Sequence, residues 1–250
     1  MASLPIVRGV SAALYPFTMT LSFLTEMSSW QNGAQQRQIR SAGLAKFDIP
    51  YSAMSQAQKN TVKSAMASAK GRFSTNLQLT LGAVSYTNLS LDADEWSARE
   101  SETMQYDGPM KLSQTIPQGF SPGTPGQAFP TLANGAIGIL PYTQKQRFQS
   151  VYQKMDSGPA YAYAEFGGGL TGYPSGPLMA WSLEEKSISD ADLATRIAHF
   201  IANYGRAYSF SFTDEDGTVY SNTHYASDDL VINYRGPNAS DVTISLEATN

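Results

Sequence analysis

The chain contains no cysteine. That excludes a disulfide framework, thiolate metal sites and cysteine nucleophiles. It leaves the compartment open, because a reducing cytosol and a cysteine-free particle suit it equally. There are two histidines in 250 residues, His199 and His224. They stand far apart, so no zinc site is expected. His199 reads as a helix-face residue and His224 as an exposed residue in a loop between strands. Charge is scarce as well, at 15 % of residues with a net −4. Nothing basic enough to coat nucleic acid is present. Low charge with many Ser, Thr, Gln and Asn suits a surface that neighbours cover. No run approaches the roughly 20 apolar residues that cross a bilayer. Met1-Ala2-Ser3-Leu4-Pro5 shows no basic segment followed by an apolar one, so neither a signal peptide nor a membrane partner is expected.

The chemistry-bearing candidates are weak. Asp214-Glu215-Asp216-Gly217 opens like a calcium loop, but the later ligands and the closing bidentate Glu are missing. An Asp-Gly turn accounts for it better. Gly167-Gly168-Gly169 is followed by no Gly-Lys-Ser/Thr and reads as an inserted loop. Asp92, Asp94 and Glu95 could be imagined as a glycosidase pair, yet clustered loop acids are usually solvated. The expectation is therefore no catalytic residue, no cofactor and no metal. Tyr161, Tyr163, Tyr173, Trp181, Tyr204, Tyr208, Tyr220 and Tyr225 leave room for sugar stacking. Alternating aromatics in strands are more simply core or interface positions.

What the sequence does have is a repeat. Phe47 to Arg72 aligns without a gap on Trp181 to Arg206, at a constant offset of 134 (181 − 47 and 206 − 72). Ser55 falls on Ser189, Thr61 on Thr195 and Gly71 on Gly205. Tyr106-Asp107-Gly108-Pro109 resembles Tyr234-Arg235-Gly236-Pro237 at an offset of 128 (237 − 109), which implies a second half six residues shorter in between. Self-similarity over such a distance marks duplicated modules.

The local patterns agree. Thr18 to Trp30 and Ala34 to Arg40 read as a hairpin around Asn32-Gly33, with a further strand from Leu44 to Ile49. Ser55 and Ser189 are N-caps of two helices that end at Gly71 and Gly205. Strands are expected around 77–81, 84–91, 103–106 and 110–115 in the first half. In the second they fall around 147–155, 160–166, 208–212, 219–222, 231–232 and 242–246. Residues 117–135 read as a Pro/Gly-rich linker between a module at 1–116 and a module at 136–250. The fold class is α+β: two duplicated modules, each an antiparallel, barrel-like belt sheet with one helix packed across it.

Trp30-Gln31-Asn32-Gly33-Ala34-Gln35-Gln36-Arg37 resembles the aromatic-x-Asp/Asn-Gly-x-x-Gln-Arg signature of the lambda-type minor tail protein M family, related to the belt domain of siphophage distal tail proteins. The order of elements is similar too. The resemblance implies a structural virion protein that forms a ring at the distal end of a long non-contractile tail, between tube and tip. Its partners would be further copies of itself (three chains with pseudo-sixfold symmetry, or six), the tail tube protein and tip or hub proteins, with DNA only in transit. Trp30, Gln36 and Arg37 become interface candidates. Asp92, Asp94, Glu95, Asp214, Glu215 and Asp216 become candidates to face the channel. The alternatives are a duplicated tube or tail-completion protein, or a carbohydrate-binding module of a receptor-binding protein.

Overall fold

The computed structural model describes residues 2–4, 16–29, 35–69, 72, 77–81, 84–116, 124–130, 142–147, 150–153, 161–164, 178–213, 217–236 and 238–249. Among them it is mostly antiparallel sheet with two helices, compatible with the α+β class. The first half holds β1 (Ala2–Ser3), β2 (Phe17–Ser29), β3 (Gln35–Ile49), α1 (Gln56–Ala69), β4 (Leu77–Leu81), β5 (Val84–Leu91), β6 (Arg99–Glu102), β7 (Gln105–Asp107) and β8 (Met110–Thr115). The second holds β9 (Tyr142–Arg147), β10 (Ser150–Gln153), β11 (Tyr161–Ala164), β12 (Leu178–Ile188), α2 (Asp190–Ala202), β13 (Phe210–Thr213), β14 (Val219–Tyr225), β15 (Asp229–Gly236) and β16 (Ala239–Thr249).

The helices start where their caps dictate. Ser55 Oγ accepts from Gln58 N at 3.3 Å, and Gln58 Oε1 accepts from Ser55 N at 2.7 Å, a reciprocal capping box. Ser189 Oγ accepts from Asp192 N at 3.1 Å. The helix α1 buries only Val62, Ala65 and Ala69, whereas α2 buries Leu193, Ile197, Phe200 and Ile201 among others. The second half therefore has the larger apolar contact under its helix.

Strand pairing in the two halves follows one order. In the first, β3 lies between β2 and β8, β8 reaches β5, and β5 reaches β4. In the second, β12 lies between β9 and β16, β16 reaches β14, and β14 reaches β13. The registers coincide as well. Leu44↔Thr115 through Ile49↔Met110 is matched by Leu178↔Thr249 through Leu183↔Ile244 (178 − 44 and 249 − 115 both give 134). The pair Ser90↔Ser113 is matched by His224↔Glu247 at the same offset (224 − 90 and 247 − 113). The β6–β7 hairpin, Arg99↔Asp107 to Glu102↔Gln105, is matched by Asn233↔Asp241 to Gly236↔Ala239 (233 − 99 and 239 − 105). Even the irregularities recur, between Glu100 and Glu102 and between Tyr234 and Gly236. A one-residue slip would turn every side chain to the other face, so agreement over this many pairs is strong.

Smaller features repeat at 134. Ala53 and Ser187 both sit at positive φ (50° and 52°), and so do Met104 and Asn238 (62° and 55°). Asp107 Oδ1 accepts from Ala53 N at 2.8 Å, and Asp241 Oδ1 from Ser187 N at 3.0 Å. The edge-on ring pair Phe47–Tyr86 at 5.0 Å recurs as Trp181–Tyr220 at 4.7 Å.

Several expectations change. The two Tyr-x-Gly-Pro strings are not equivalent: in the sheet register Tyr106 corresponds to Ser240, and Tyr234 to Glu100 (240 − 106 and 234 − 100 give 134). Beyond the helices the six-residue difference disappears, and there only β4 and β13 depart from 134, by one residue (210 − 77 is 133). Residues 103–106, read as a strand, straddle the β6–β7 turn, because Met104 takes the left-handed conformation. The two strands expected after the turn, from Ala34 and from Leu44, are not separate: Gln35–Ile49 is one continuous strand, β3. The strand β9 stands where no strand was expected before Arg147.

The halves are joined edge to edge. β15 pairs with β2 over six positions, Asp229↔Ser22 to Tyr234↔Phe17, so that twelve strands form one sheet. Phe17 stacks on Tyr234 at 4.4 Å, and Tyr86 Oη meets Tyr234 Oη at 3.0 Å. Residues 124–130, expected to be linker, are built into the second half. Phe129 N donates to Ser211 O at 2.8 Å and Gly126 N to Asn203 Oδ1 at 3.0 Å. The Phe129 ring lies among Phe210, Phe212, His199 and Tyr225.

Candidate assembly interface

The outer part of β2 and β3 reaches over the second half and is held there by an acid and two arginines. Phe23 N donates to the Asp228 carbonyl at 2.9 Å. The Asp228 carboxylate accepts from Thr25 N at 2.8 Å, Thr25 Oγ1 at 2.9 Å and Arg206 N at 3.2 Å. The Arg206 side chain lies 3.4 Å from the same carboxylate. Gly205 makes this approach possible: its φ is +62°, and a Cβ there would stand 2.7 Å from Asp228 Oδ1. The Phe23 ring then packs against Phe200 and Tyr204, each with centroids 5.7 Å apart.

Arg37 closes the junction. Its Nη1 donates to the Arg206 carbonyl at 2.6 Å and its Nη2 to Glu247 Oε1 at 2.9 Å. The side chain is only 6 % exposed. Burial draws the guanidinium below its ordinary pKa range, and the Glu247 bond opposes this. Beside it, His224 lies half-buried within β14, not in an exposed loop as the sequence suggested. Burial, then the charge of Arg37, depress that imidazole to about 4, against the pull of the Tyr208 and Arg206 carbonyls.

The first half carries the same receptor uncovered. Asp94 Oδ1 accepts from Arg72 N at 3.0 Å, and Arg72 Nε lies 3.6 Å from Asp94 Oδ2. These are the contacts of Arg206 and Asp228 shifted by 134 (206 − 72 and 228 − 94). The exposures differ: 60 % and 59 % for Arg72 and Asp94, against 28 % and 16 % for Arg206 and Asp228. One receptor is occupied by the chain's own hairpin, and its counterpart faces solvent.

The remaining sequence candidates divide. Gln36 is exposed on β3 next to Arg37. Asp92 and Glu95 are exposed beside Asp94 between β5 and β6. Trp30, Asp214, Glu215, Asp216 and Tyr173 lie outside the described residues. Of the aromatics considered for sugar stacking, Trp181 and Tyr225 are core residues and Tyr220 packs on Trp181. Tyr204 and Tyr208 are exposed and meet each other edge-on at 6.0 Å. Comparison with protein-family models gives no match, and comparison with curated proteins gives none either.

A second polar cluster lies inside the second half. Arg196 and Glu185 are both fully buried and joined by bonds of 2.6 to 3.0 Å. Burial raises the Glu185 carboxyl, and Arg196 opposes that rise. Arg196 also donates to the Pro130 carbonyl and lies over the Phe129 ring at 4.2 Å. His199, expected on a helix face, is buried: Nδ1 lies 2.7 Å from Tyr225 Oη and Nε2 3.1 Å from the Gln127 carbonyl. Those partners fix a neutral ring with the proton on Nε2, and burial depresses its pKa to about 4. The cluster ties segment 124–130 to α2. Among the described residues, no three His, Cys, Asp or Glu side chains group as metal ligands, and no helix is long and apolar enough to cross a membrane.

Sequence reasoning singles out Arg37 as an interface candidate and Asp94 as a channel-facing one, and misses Thr25, Arg206, Asp228 and Glu247. Arg206 and Asp228 were visible in principle, as the partners of Arg72 and Asp94 at the offset of the helix match. Thr25 and Glu247 have no local signal, because their contacts cross more than 200 residues.

Proposed function

We propose that the chain is a structural, non-catalytic subunit of a long non-contractile phage tail. It is a tandem of two copies of one antiparallel module, and it closes a ring at the distal end between tail tube and tail tip, around the channel through which DNA passes. Its partners are other copies of itself, in a trimer with pseudo-sixfold symmetry or a hexamer, with tube protein on one side and tip or hub proteins on the other. The observation that carries the reading is the single register shared by both halves at 134 together with the edge-to-edge joining of β2 and β15. A chain that already pairs one module's edge with the next contains the contact from which a ring is made. The tail assignment rests on the Trp30 to Arg37 signature and its position ahead of the helix.

Electron microscopy of the purified protein tests this. Closed rings with a central opening are expected, and rings that stack on purified tail tubes. A monomer at high concentration overturns the ring. Glycan binding by that monomer would favour the carbohydrate-binding alternative, which the burial of Trp181 and Tyr225 disfavours.

A further inference from the structure

We infer that the outer edge of β9 pairs with residues 95–100 of a second copy of this chain, in the register that β2 and β15 use internally, and that this docks the half carrying β9 beside the exposed Arg72–Asp94 receptor of that copy. The inference rests on the tandem ring proposed above and specifies its contact.

The equivalences come from backbone pairing. β9 stands to β12 as β2 stands to β3: Thr18↔Asp48 is matched by Thr143↔Ser182 (143 − 18 is 125, 182 − 48 is 134). Residues 17–22 therefore correspond to 142–147. Residues 229–234 correspond to 95–100, through the shared hairpin register. Within one chain, 17–22 pairs with 229–234. The counterparts do not meet: among the described residues β9 pairs only with β12, and β6 only with β7.

Residues 95–100 look like the uncovered version of β15. Where β2 covers β15, Leu230, Ile232 and Tyr234 are buried and their alternate neighbours exposed. At the matching positions Trp96 and Ala98 are only half-buried and Glu100 is exposed. β7 is anchored on Met54 through Tyr106, and among the described residues no strand lies along the other side of the hairpin, on β6. Open edges recruit partners, and the partner whose edge has the right shape and register is β9 of another copy. The transferred register sets Glu95 opposite Arg147, Ser97 opposite Lys145 and Arg99 opposite Thr143. The relation is head-to-tail, so repeating it builds a closed ring or a filament and not an isolated pair. The copy is not identical in every contact. Glu247 is replaced by Ser113 in the first half, so the ion pair of Arg37 is not repeated between chains.

The absence of cysteine makes the test clean. Ser97→Cys and Lys145→Cys are introduced together, the protein is oxidised, and non-reducing electrophoresis reads the products. A ladder of covalent chains is expected, exceeding on the order of tenfold the yield of the off-register pair Ser97→Cys with Thr143→Cys, because diagonal positions stand too far apart for a disulfide. The internal pair Thr20→Cys with Val231→Cys should close within each chain and reports that the fold is intact. Rings in the microscope without the Ser97–Lys145 ladder overturn this contact and leave the ring standing. Monomers with the internal pair closed overturn both.

Discussion

Arg37 bridges two parts of the chain 169 and 210 residues away, through the Arg206 carbonyl and the Glu247 carboxylate. Removing a buried guanidinium leaves both acceptors unpaired. Arg37→Ala should therefore cost about 2 kcal/mol, measured by urea denaturation, and should weaken ring assembly. Arg40→Ala, which removes an exposed pair with Glu26, should cost under about 0.5 kcal/mol. Glu185→Ala strands Arg196 as a buried unpaired charge, and a loss of roughly 3–5 kcal/mol is expected. The histidines set the pH dependence. His199 and His224 titrate near 6.5 in the unfolded chain and near 4 in the fold. The unfolded chain binds their protons first. Stability is thus at its full value above about pH 6.5, falls as pH drops toward 4, and levels off below. His199 alone contributes roughly 3 kcal/mol to that fall. Denaturation curves at pH 7 and pH 4.5 check it, and His199→Gln should flatten the difference. Equal stability at both values would show that neither imidazole is buried neutral.

At the scale of elements, Phe129 decides how far the second half extends. Its ring touches four aromatic neighbours and lies under Arg196. Phe129→Ala should cost roughly 2 kcal/mol, below the figure for a fully buried ring because Phe129 is only half-buried. A true linker residue would show no change. Composition marks 117–135 as linker because it is rich in Gly and Pro, but composition does not show what Phe129 packs against. The same limit explains what else was and was not legible. The helices were legible because cap and spacing are local: Ser55, Ser189 and the matched 26-residue stretch declared themselves. The duplicated register was legible only as far as identities ran. Past Arg72 the halves share scattered positions such as Asp107 and Asp241, whose backbone bonds to Ala53 and Ser187 match while their neighbours differ. The Tyr-x-Gly-Pro strings drew the alignment aside because three identities within four letters outweigh scattered ones by eye, although sheet register answers to the scattered ones. Of the junction, the signature pointed at Arg37. It could not point at Thr25 or Asp228, whose partnership exists only once β2 lies along β15.

At the scale of the molecule, what matters is how many copies the junction admits. In the tandem ring proposed above, each chain supplies two modules joined by β2 and β15 and, among the described residues, leaves one edge of each kind unpaired, at β9 and at 95–100. If the contact between chains copies the contact within them, the rotation from module to module is the same at every step. A ring of six modules then takes three chains, with true threefold and approximate sixfold symmetry, suited to joining a sixfold tube to a threefold tip. In the proposed ring three chains would carry a net charge of −12 at neutral pH (3 × −4), an acidity that would repel DNA in transit. Native mass spectrometry should give a trimer of the 27.1 kDa chain. One consequence separates it from a six-chain ring, because Arg37→Ala acts within the chain and lowers subunit stability in either case. Ser97→Lys, at an exposed position, sets a second positive charge opposite the neighbour's Lys145, so it should leave the subunit folded and weaken the ring. A hexamer with strict sixfold symmetry would mean that the second module stands outside the ring or stacked beneath it. Ser97→Lys would then leave assembly unchanged.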